Sequence, residues 1–190
     1  MADDRSIPTP SPGPRPEAVA MSDDDLDLPD PIDTPRLTLQ VLTIEAAQAL
    51  TVVGLRLANW HPEYPRDDDV DAASLVVTAG VASSWGPRQI VTTADGLVVG
   101  TIGFLGPPSA VAGVPEVELG YGLVPAARKR GLATEAVAGI VAAAECVSVA
   151  VRATVAPENG ASRRVLDRCG FRLVSRTDDG QLLVRRRVRR

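Results

Sequence analysis

The densest group of residues that could bind a ligand lies at 117–137, which reads VELGYGLVPAARKRGLATEAV. Arg128, Lys129 and Arg130 precede Gly131, and a helical pattern follows directly. Such a turn directs several unpaired backbone N–H groups and the positive end of a helix dipole towards one point. That arrangement binds a phosphate or pyrophosphate, and glycine lets the backbone approach the ligand closely. Taken alone, the segment is equally compatible with a surface turn that opens a basic helix.

Other ligand-binding patterns do not fit this chain. Neither the G-x-x-x-x-G-K-S/T loop nor a G-x-G-x-x-G turn with a downstream acid is present. His61 is the only histidine, so a His-rich metal site cannot form and we expect no metal. Cys146 and Cys169 lack C-x-x-C spacing, which favours two free thiols in a reducing cytosol over a disulfide.

A second informative segment lies at 155–174, which reads VAPENGASRRVLDRCGFRLV. It predicts a strand, a helix that Asn159 caps and Gly170 ends, and another strand. Together the two segments resemble the GNAT acetyltransferase superfamily. Residues 128–133 match its Q/R-x-x-G-x-G/A pyrophosphate motif. Residues 157–171 resemble the N-x-x-S helix and GF turn of the branch that includes ribosomal-protein N-terminal alanine acetyltransferases.

The resemblance extends over about residues 34–176, since Thr34-Pro35-Arg36-Leu37 and Glu118-Leu119-Gly120-Tyr121 also resemble that branch. It implies acetyl-CoA as acetyl donor and a primary amine as acceptor. It also implies an α/β fold: a mixed, largely antiparallel sheet flanked by helices, in which strand 117–124 splays from strand 149–156. The pantetheine arm would lie in that gap. The implied cofactor-binding residues are Leu123, Val124, Arg128, Lys129, Arg130, Gly131, Leu132, Ala133, Asn159 and Ser162.

The resemblance also suggests catalytic residues. An amine near pKa 10 must lose a proton before it attacks, and Glu118 is the candidate base, often through water. The alternative is that Glu118 is a salt-bridged or substrate-orienting carboxylate. Many members place a tyrosine on the last helix as the acid for the departing thiolate, whereas this helix has none. Ser162 could relay that proton, or the thiolate could leave unassisted; Tyr121 is a weaker candidate because strand alternation places it opposite Glu118.

The acceptor is the least determined part. The loop 59–69 sits where the family builds its acceptor wall, and we predict that Trp60 and Tyr64 contact the substrate, together with Glu118. The acids Asp67, Asp68 and Asp69 could attract a cationic amine, but an acidic run is more often simply solvated. The acceptor could be a protein N-terminus or a small molecule. A non-catalytic acyl-CoA-binding regulatory module remains the alternative, and the protein could be a monomer or a homodimer.

The sequence predicts the strands and helices that position the candidate site residues. Alternation and helical periodicity predict strands at 37–41, 89–93, 97–105, 116–124, 149–156, 171–176 and 181–188. Helices are predicted at 44–53, 71–82, from 130 onward, and at 159–169, with Thr43 as a cap. Asp95-Gly96 predicts a hairpin between the second and third strands. Residues 106–115 are predicted to form a loop.

The charge of the chain is unevenly distributed. Residues 1–33 contain nine acids against Arg5 and Arg15, a net of −7; the whole chain carries −4, so the rest carries +3. We predict a disordered, acidic, Pro-rich tail at 1–31 and one acetyltransferase domain at 32–190. The basic run 185–190 is interpreted as a solvated strand end; nucleic-acid binding is the alternative. Without a secretory signal or a membrane span, and with arginine almost replacing lysine, the expectation is a cytoplasmic bacterial protein.

Overall fold

The computed structural model describes residues 27–111 and 113–186, which contain nine strands and four helices. The strands are β1 (Ile32–Asp33), β2 (Leu37–Val41), β3 (Pro87–Thr92), β4 (Val98–Phe104), β5 (Ser109–Val111), β6 (Val114–Leu123), β7 (Ala150–Val155), β8 (Arg172–Arg176) and β9 (Leu182–Arg186). The helices are α1 (Ile44–Thr51), α2 (Asp67–Ala79), α3 (Leu132–Cys146) and α4 (Gly160–Arg168). No helix in this part of the chain is both long and apolar enough to cross a bilayer.

One sheet contains eight strands in the order β1-β2-β3-β4-β6-β7-β9-β8, and β5 adds to it as a short hairpin with β6. All neighbouring pairs are antiparallel except β6 and β7. That parallel pair is three positions long, from Glu116 opposite Ala150 to Glu118 opposite Arg152. The predicted mixed, largely antiparallel sheet flanked by helices is therefore confirmed.

The helices cover both faces of the sheet. Thr101 on β4 lies opposite Gly122 on β6, and its hydroxyl donates to Asp69 on α2. Ile102 lies opposite Tyr121, whose hydroxyl donates to the Ser162 carbonyl on α4. Successive side chains of a strand point to opposite faces, so α2 covers one face and α4 the other. α3 lies on the α4 side, where it buries apolar residues at helical spacing: Leu132, Ala136, Val137, Ile140, Val141 and Ala144.

Several element boundaries differ from the sequence prediction. α2 begins at Asp67 rather than at residue 71, because Asp69 accepts the Arg66 backbone N–H as part of a capping box. The predicted loop at 106–115 contains β5, which pairs with the start of β6. The predicted strand at 37–41 is β2, and it pairs with β1, a two-residue element too short to show periodicity. Thr43 caps α1 as predicted, since its hydroxyl accepts the Ala46 N–H at 3.2 Å.

The packed part of the domain also begins earlier than residue 32. Leu28 is buried in the core, and Asp30 forms an ion pair with the buried guanidinium of Arg88 at 3.1 Å. The rest of the predicted acidic tail, residues 1–26, lies outside the described residues, as do residues 187–190 of the basic run. Of that run, Arg185 pairs with Glu116 and Arg186 with Glu145, so both belong to the fold.

Candidate active site

The site is built around the point at which β6 and β7 separate. Beyond Glu118 the two strands no longer pair, although β6 stays bonded to β4 on its other side. The Glu118 carbonyl accepts from Leu105 N–H at 3.0 Å, and the Val124 N–H donates to the Val99 carbonyl at 2.9 Å. Antiparallel pairing alternates, so the N–H groups of Leu119, Tyr121 and Leu123 point away from β4 into the gap. The predicted splay of these two strands is therefore present.

Two cavities meet in this gap. The larger has a volume of about 610 Å³ and extends from Leu123 on β6 across the turn before α3 to α4. The smaller, about 210 Å³, lies between residues 119–121 of β6 and residues 153–156 of β7. Tyr121, Asn159 and Ser162 line both. An elongated ligand can therefore pass from the turn at the edge of the sheet into the space between the strands.

The turn before α3 is held in an uncommon backbone conformation. Its short 3-10 helix, Pro125–Ala127, is followed by Lys129 and Gly131 with φ of 60° and 81°. Arg128 fixes the turn to the strand, since its Nε donates to the Leu123 carbonyl at 2.9 Å. Positive φ is unusual for lysine and easy for glycine, and it turns successive N–H groups to one side.

The start of α3 has free backbone donors. Gly131 is the N-cap and has no side chain with which to cap, and the first helical bond runs from Glu135 N–H to the Gly131 carbonyl. The N–H groups of Leu132, Ala133 and Thr134 thus have no acceptor among residues 27–111 and 113–186. All three residues line the larger cavity, together with Lys129 and Arg128. This cradle fits a diphosphate group, because it offers clustered donors and positive charge.

A network from the start of the domain supports the turn. Glu135, in the first turn of α3, accepts the Thr34 hydroxyl at 2.8 Å and both the N–H and Nε of Arg36 at 2.7 Å. Arg36 also donates to the Arg130 carbonyl at 3.1 Å. Burial alone would raise the pKa of Glu135, but the bonds from Thr34 and Arg36 outweigh it and lower that pKa. The Thr34-Pro35-Arg36 motif therefore fastens the turn at 128–131, here called the phosphate turn, rather than lining the cavity.

On the α4 side, Asn159 and Tyr121 reach the gap. The Asn159 Oδ1 accepts the Ser162 N–H at 3.0 Å and so caps α4, as predicted. The Tyr121 hydroxyl donates to the Ser162 carbonyl at 3.2 Å. Burial raises the pKa of Tyr121 above its ordinary value, so the phenol stays protonated at neutral pH. Tyr121 does point away from Glu118, as alternation predicts, but this direction brings it into the cavity.

Glu118 does not line either cavity in the gap. Its carboxylate pairs with Arg152 of β7 at 3.0 Å, directly across the parallel ladder. Arg152 also approaches the buried Glu116 at 3.7 Å, and Arg185 lies close to Glu116 on its other side. The geometry is that of the salt-bridged alternative, and it holds the two strands together at the vertex of the gap.

The aromatic residues predicted for the acceptor side lie in the core. Trp60 is 5% exposed and packs edge-on against Tyr64, which is fully buried. Neither ring lines the cavities in the gap. Arg66 and Asp68, two and four positions after Tyr64, line the larger one instead. The sequence prediction missed Arg66 because its position depends on the buried partner Asp69, which looked like part of a solvated acidic run.

The ten residues predicted to bind the cofactor largely converge. Eight of them line the larger cavity: Leu123, Arg128, Lys129, Gly131, Leu132, Ala133, Asn159 and Ser162. Val124 is fully buried, and its N–H is bonded to β4. Arg130 lines a neighbouring cavity with His61 and Arg36. The two cysteines are free thiols, as predicted.

A mixed sheet with one splayed parallel pair and an anion cradle at its open end defines a domain that binds an extended, phosphate-bearing substrate. The sequence profile described as "Acetyltransferase (GNAT) domain" matches residues 36–172, so the chain belongs to the GNAT acetyltransferase family and is an acyltransferase. None of the curated protein sequences compared with this chain is a significant match.

Solved structures of acetyltransferases have the same fold. An acetyltransferase from Agrobacterium tumefaciens strain C58 is 26% identical, with a TM-score of 0.56 over 83% of this chain and 94% of that one. RimJ from Mycobacterium smegmatis, in complex with CoA-disulfide, is 24% identical, with a TM-score of 0.54 over 79% and 81% of the two chains. Ribosomal-protein-S5-alanine acetyltransferase from Vibrio fischeri is 14% identical, with a TM-score of 0.55 over 84% and 97%.

Proposed function

We propose that the protein transfers the acetyl group of acetyl-CoA to a primary amine by direct attack in a ternary complex. The observation that carries the proposal is the continuous path from the donor-rich turn at 128–134 to the free strand edge of β6. This path matches a ligand with a diphosphate at one end and an amide-containing arm at the other. The CoA derivative bound to RimJ, which has the same fold, supports the choice of ligand.

Each part of the path has a separate task. The N–H groups of Leu132, Ala133 and Thr134, with Lys129, would hold the diphosphate. The inward-facing N–H of Leu123 and the side-chain amide of Asn159 would bond the arm. Because Asn159 Oδ1 is used by the α4 cap, its NH₂ group is the part free to donate.

The bound donor supplies an acetyl thioester, and the protein must stabilise charge and move two protons. A strand N–H that points into the gap, at Tyr121 or Leu123, can donate to the thioester oxygen as negative charge develops there. The Tyr121 hydroxyl lies beside Ser162 and is protonated, so it can give a proton to the departing sulfur. Glu118, on the opposite face of β6, is proposed to take the amine proton through water while its carboxylate stays paired with Arg152.

The first test is calorimetric titration of the purified chain with acetyl-CoA. We expect micromolar binding that is lost in Gly131→Glu, because the new carboxylate would occupy the anion cradle. Gly180→Glu is the matched control: Gly180 has φ of 82°, close to the 81° of Gly131, but lies in the turn between β8 and β9. Absence of binding by the folded wild type, or equal loss in both variants, would contradict the proposed donor site.

A non-catalytic acyl-CoA-binding module is the second candidate, since α4 has no tyrosine and Glu118 is paired with Arg152. Glu118→Gln distinguishes the two, with turnover measured by release of free thiol. If Glu118 is the base, turnover falls about a hundredfold or more while acetyl-CoA affinity is kept. If the protein is a binding module, the wild type releases no thiol with any amine of a library. A cytoplasmic location is part of the enzyme proposal and is consistent with the two free cysteines.

A further inference from the structure

Arg66 is a partly buried cation that the proposed reaction has not yet used. It precedes α2, its side chain is 16% exposed, and it lines the larger cavity beside Gly122 and Leu123. Its guanidinium lies directly on the strand: a Cβ added to Gly122 would sit 2.3 Å from both Nη1 and Nη2. Glycine at position 122 is therefore what allows the guanidinium to rest against β6.

Two hydrogen bonds to Asp69 hold Arg66 in this position. Its Nε and Nη2 form a two-pronged bond to Asp69, at 3.0 and 2.7 Å, and Asp69 is fully buried. Asp69 also accepts the Thr101 hydroxyl from β4 at 2.6 Å. Because Thr101 lies opposite Gly122 in the β4–β6 register, Arg66, Asp69 and Thr101 lie together over the same part of the sheet. A bidentate arginine–carboxylate pair of this kind fixes the direction as well as the charge of the guanidinium.

The guanidinium still has donors to offer. It has five N–H groups, and the described contacts use three: two on Asp69 and one on Asp68 at 3.2 Å. The other two, one on each Nη atom, have no acceptor in residues 27–111 and 113–186. Because Arg66 lines the larger cavity, these two N–H groups are available to an acceptor atom of a ligand there.

The position of the Arg66 guanidinium indicates which ligand would accept its two remaining hydrogen bonds. Gly122 lies between Tyr121 and Leu123, whose N–H groups point into the gap, and neighbouring strand residues are only about 3.3 Å apart. Arg66 approaches from the α2 face, whereas the donor path runs past Tyr121 and Ser162 on the α4 face. A group that contacts Arg66 would lie beside the part of β6 proposed to bind the thioester, but on the face opposite to Tyr121 and Ser162, which favours the acceptor over the donor.

We propose that Arg66 is the specificity residue for the acceptor and binds a carbonyl or carboxylate oxygen next to the carbon that bears the amine. The exposed Asp68 carboxylate, beside it in the same cavity, then faces the protonated amine before attack. The acceptor class is an α-amino carbonyl compound rather than a simple alkylamine. Asp69 and Thr101 act as positioning residues that hold Arg66. This inference rests on the proposed acetyl transfer and refines it.

The test compares two probe amines with the same number of heavy atoms, L-alaninamide and 2-amino-3-methylbutane, by thiol release at saturating acetyl-CoA, with rates referred to the unprotonated fraction of each amine. The wild type is expected to prefer alaninamide by at least about tenfold in kcat/KM, the effect of one charged hydrogen bond. Arg66→Met combined with Asp69→Asn removes both charges together, so no unpaired carboxylate stays buried. This double variant should lose the preference through a higher KM for alaninamide, with acetyl-CoA affinity unchanged in calorimetry.

Gly122→Ala provides a second variant that keeps the charges. Its methyl group must push the guanidinium aside, which a flexible side chain can do without unfolding the domain. It should also reduce the preference, and this effect should disappear when it is added to the Arg66→Met/Asp69→Asn variant. Arg172→Met is the control, because Arg172 forms an exposed pair with Asp167 and neither residue lines the two cavities in the gap.

The outcomes separate the two proposals. If the wild type binds acetyl-CoA but acetylates neither probe, or acetylates both equally, the role of Arg66 is overturned while the donor site stands. An unchanged preference in both Arg66-directed variants would also overturn it. If acetyl-CoA does not bind at all, the proposed function fails first. Loss of preference in Arg172→Met to the same extent would mean that the effect is non-specific.

Discussion

Replacing Glu135 by Gln tests whether the network beneath the phosphate turn is electrostatic. Glu135 is 15% exposed on its side chain and accepts three hydrogen bonds from Thr34 and Arg36. Glutamine keeps the shape and one acceptor oxygen but loses the charge. Bonds to a charged group contribute about 1.5–3 kcal/mol, and the 53% exposure of Arg36 reduces its share. We expect a loss of roughly 1–2 kcal/mol at pH 7, or about 2–8 °C in Tm.

The pH dependence follows from the lowered pKa of Glu135. A carboxyl whose pKa is lower in the folded state stabilises the fold fully above its unfolded pKa, about 4.3, and this contribution is lost as the pH falls through the folded pKa. The difference in unfolding free energy between wild type and Glu135→Gln should therefore be constant from about pH 7 to 5 and shrink below about pH 4. Urea unfolding at several pH values measures it.

Glu145→Gln is the matched control, since Glu145 pairs with Arg186 at the other end of the same helix with similar exposure. Both variants should be less stable, but only Glu135→Gln should weaken acetyl-CoA binding, by about threefold or more, because Arg36 also holds the Arg130 carbonyl. A stability difference that does not change with pH would refute the electrostatic reasoning. Equal affinity losses in the two variants would refute the link to the turn.

Three further predictions, which use five variants, separate roles that the structure combines. Asn159→Ala should lower the free energy of unfolding by about 1 kcal/mol, measured with urea, because the α4 cap is lost. Asn159→Asp should keep the cap and its stability but bind acetyl-CoA more weakly. Unaltered affinity in the aspartate variant would show that the residue is only a cap. Tyr121→Phe should lower kcat about a hundredfold at nearly constant KM for acetyl-CoA, and an unchanged kcat would exclude it as proton donor. Gly100→Ala should lower the free energy of unfolding by more than about 3 kcal/mol, because its Cβ would lie 2.1 Å from the Gly122 carbonyl oxygen. Gly120→Ala should be tolerated, because its Cβ would lie 3.8 Å from the Leu105 side chain. Similar stabilities of the two variants would contradict this packing.

Features that depend on neighbouring residues in the chain could be predicted from the sequence. The Thr43 and Asn159 caps and the hairpin at Asp95-Gly96 are local, because the residues that make them lie within a few positions. The backbone of the turn before α3 is local too, because its glycine and the start of the helix lie within a few positions. Its motif gives the backbone conformation directly, with Gly131 at positive φ.

Features that depend on partners far along the chain were not predictable. Asp69 belongs to an acidic run, and only its contact with Thr101, thirty-two positions away, shows that it is buried. Arg66 lies against the sheet because its side chain is bonded to the buried Asp69. Trp60 and Tyr64 are buried in the core and do not line the cavity. A different reason kept the position of Tyr121 at the gap from being predicted. Alternation gave its direction correctly, but not the fact that α4 and the gap lie on that side.

The backbone donors at Leu132, Ala133 and Thr134, which have no acceptor in the described part of the chain, also affect how stable the domain is in different surroundings. They converge only in the folded chain, so a ligand that pairs with them binds the folded state and not the unfolded one. By mass action, such a ligand at a hundred times its Kd adds about 2.7 kcal/mol to the free energy of unfolding. The melting temperature is therefore a property of the solution as well as of the chain. The melting temperature should rise and fall with the concentration of acetyl-CoA, so thermal denaturation measures how much of the proposed acetyl-CoA site is occupied.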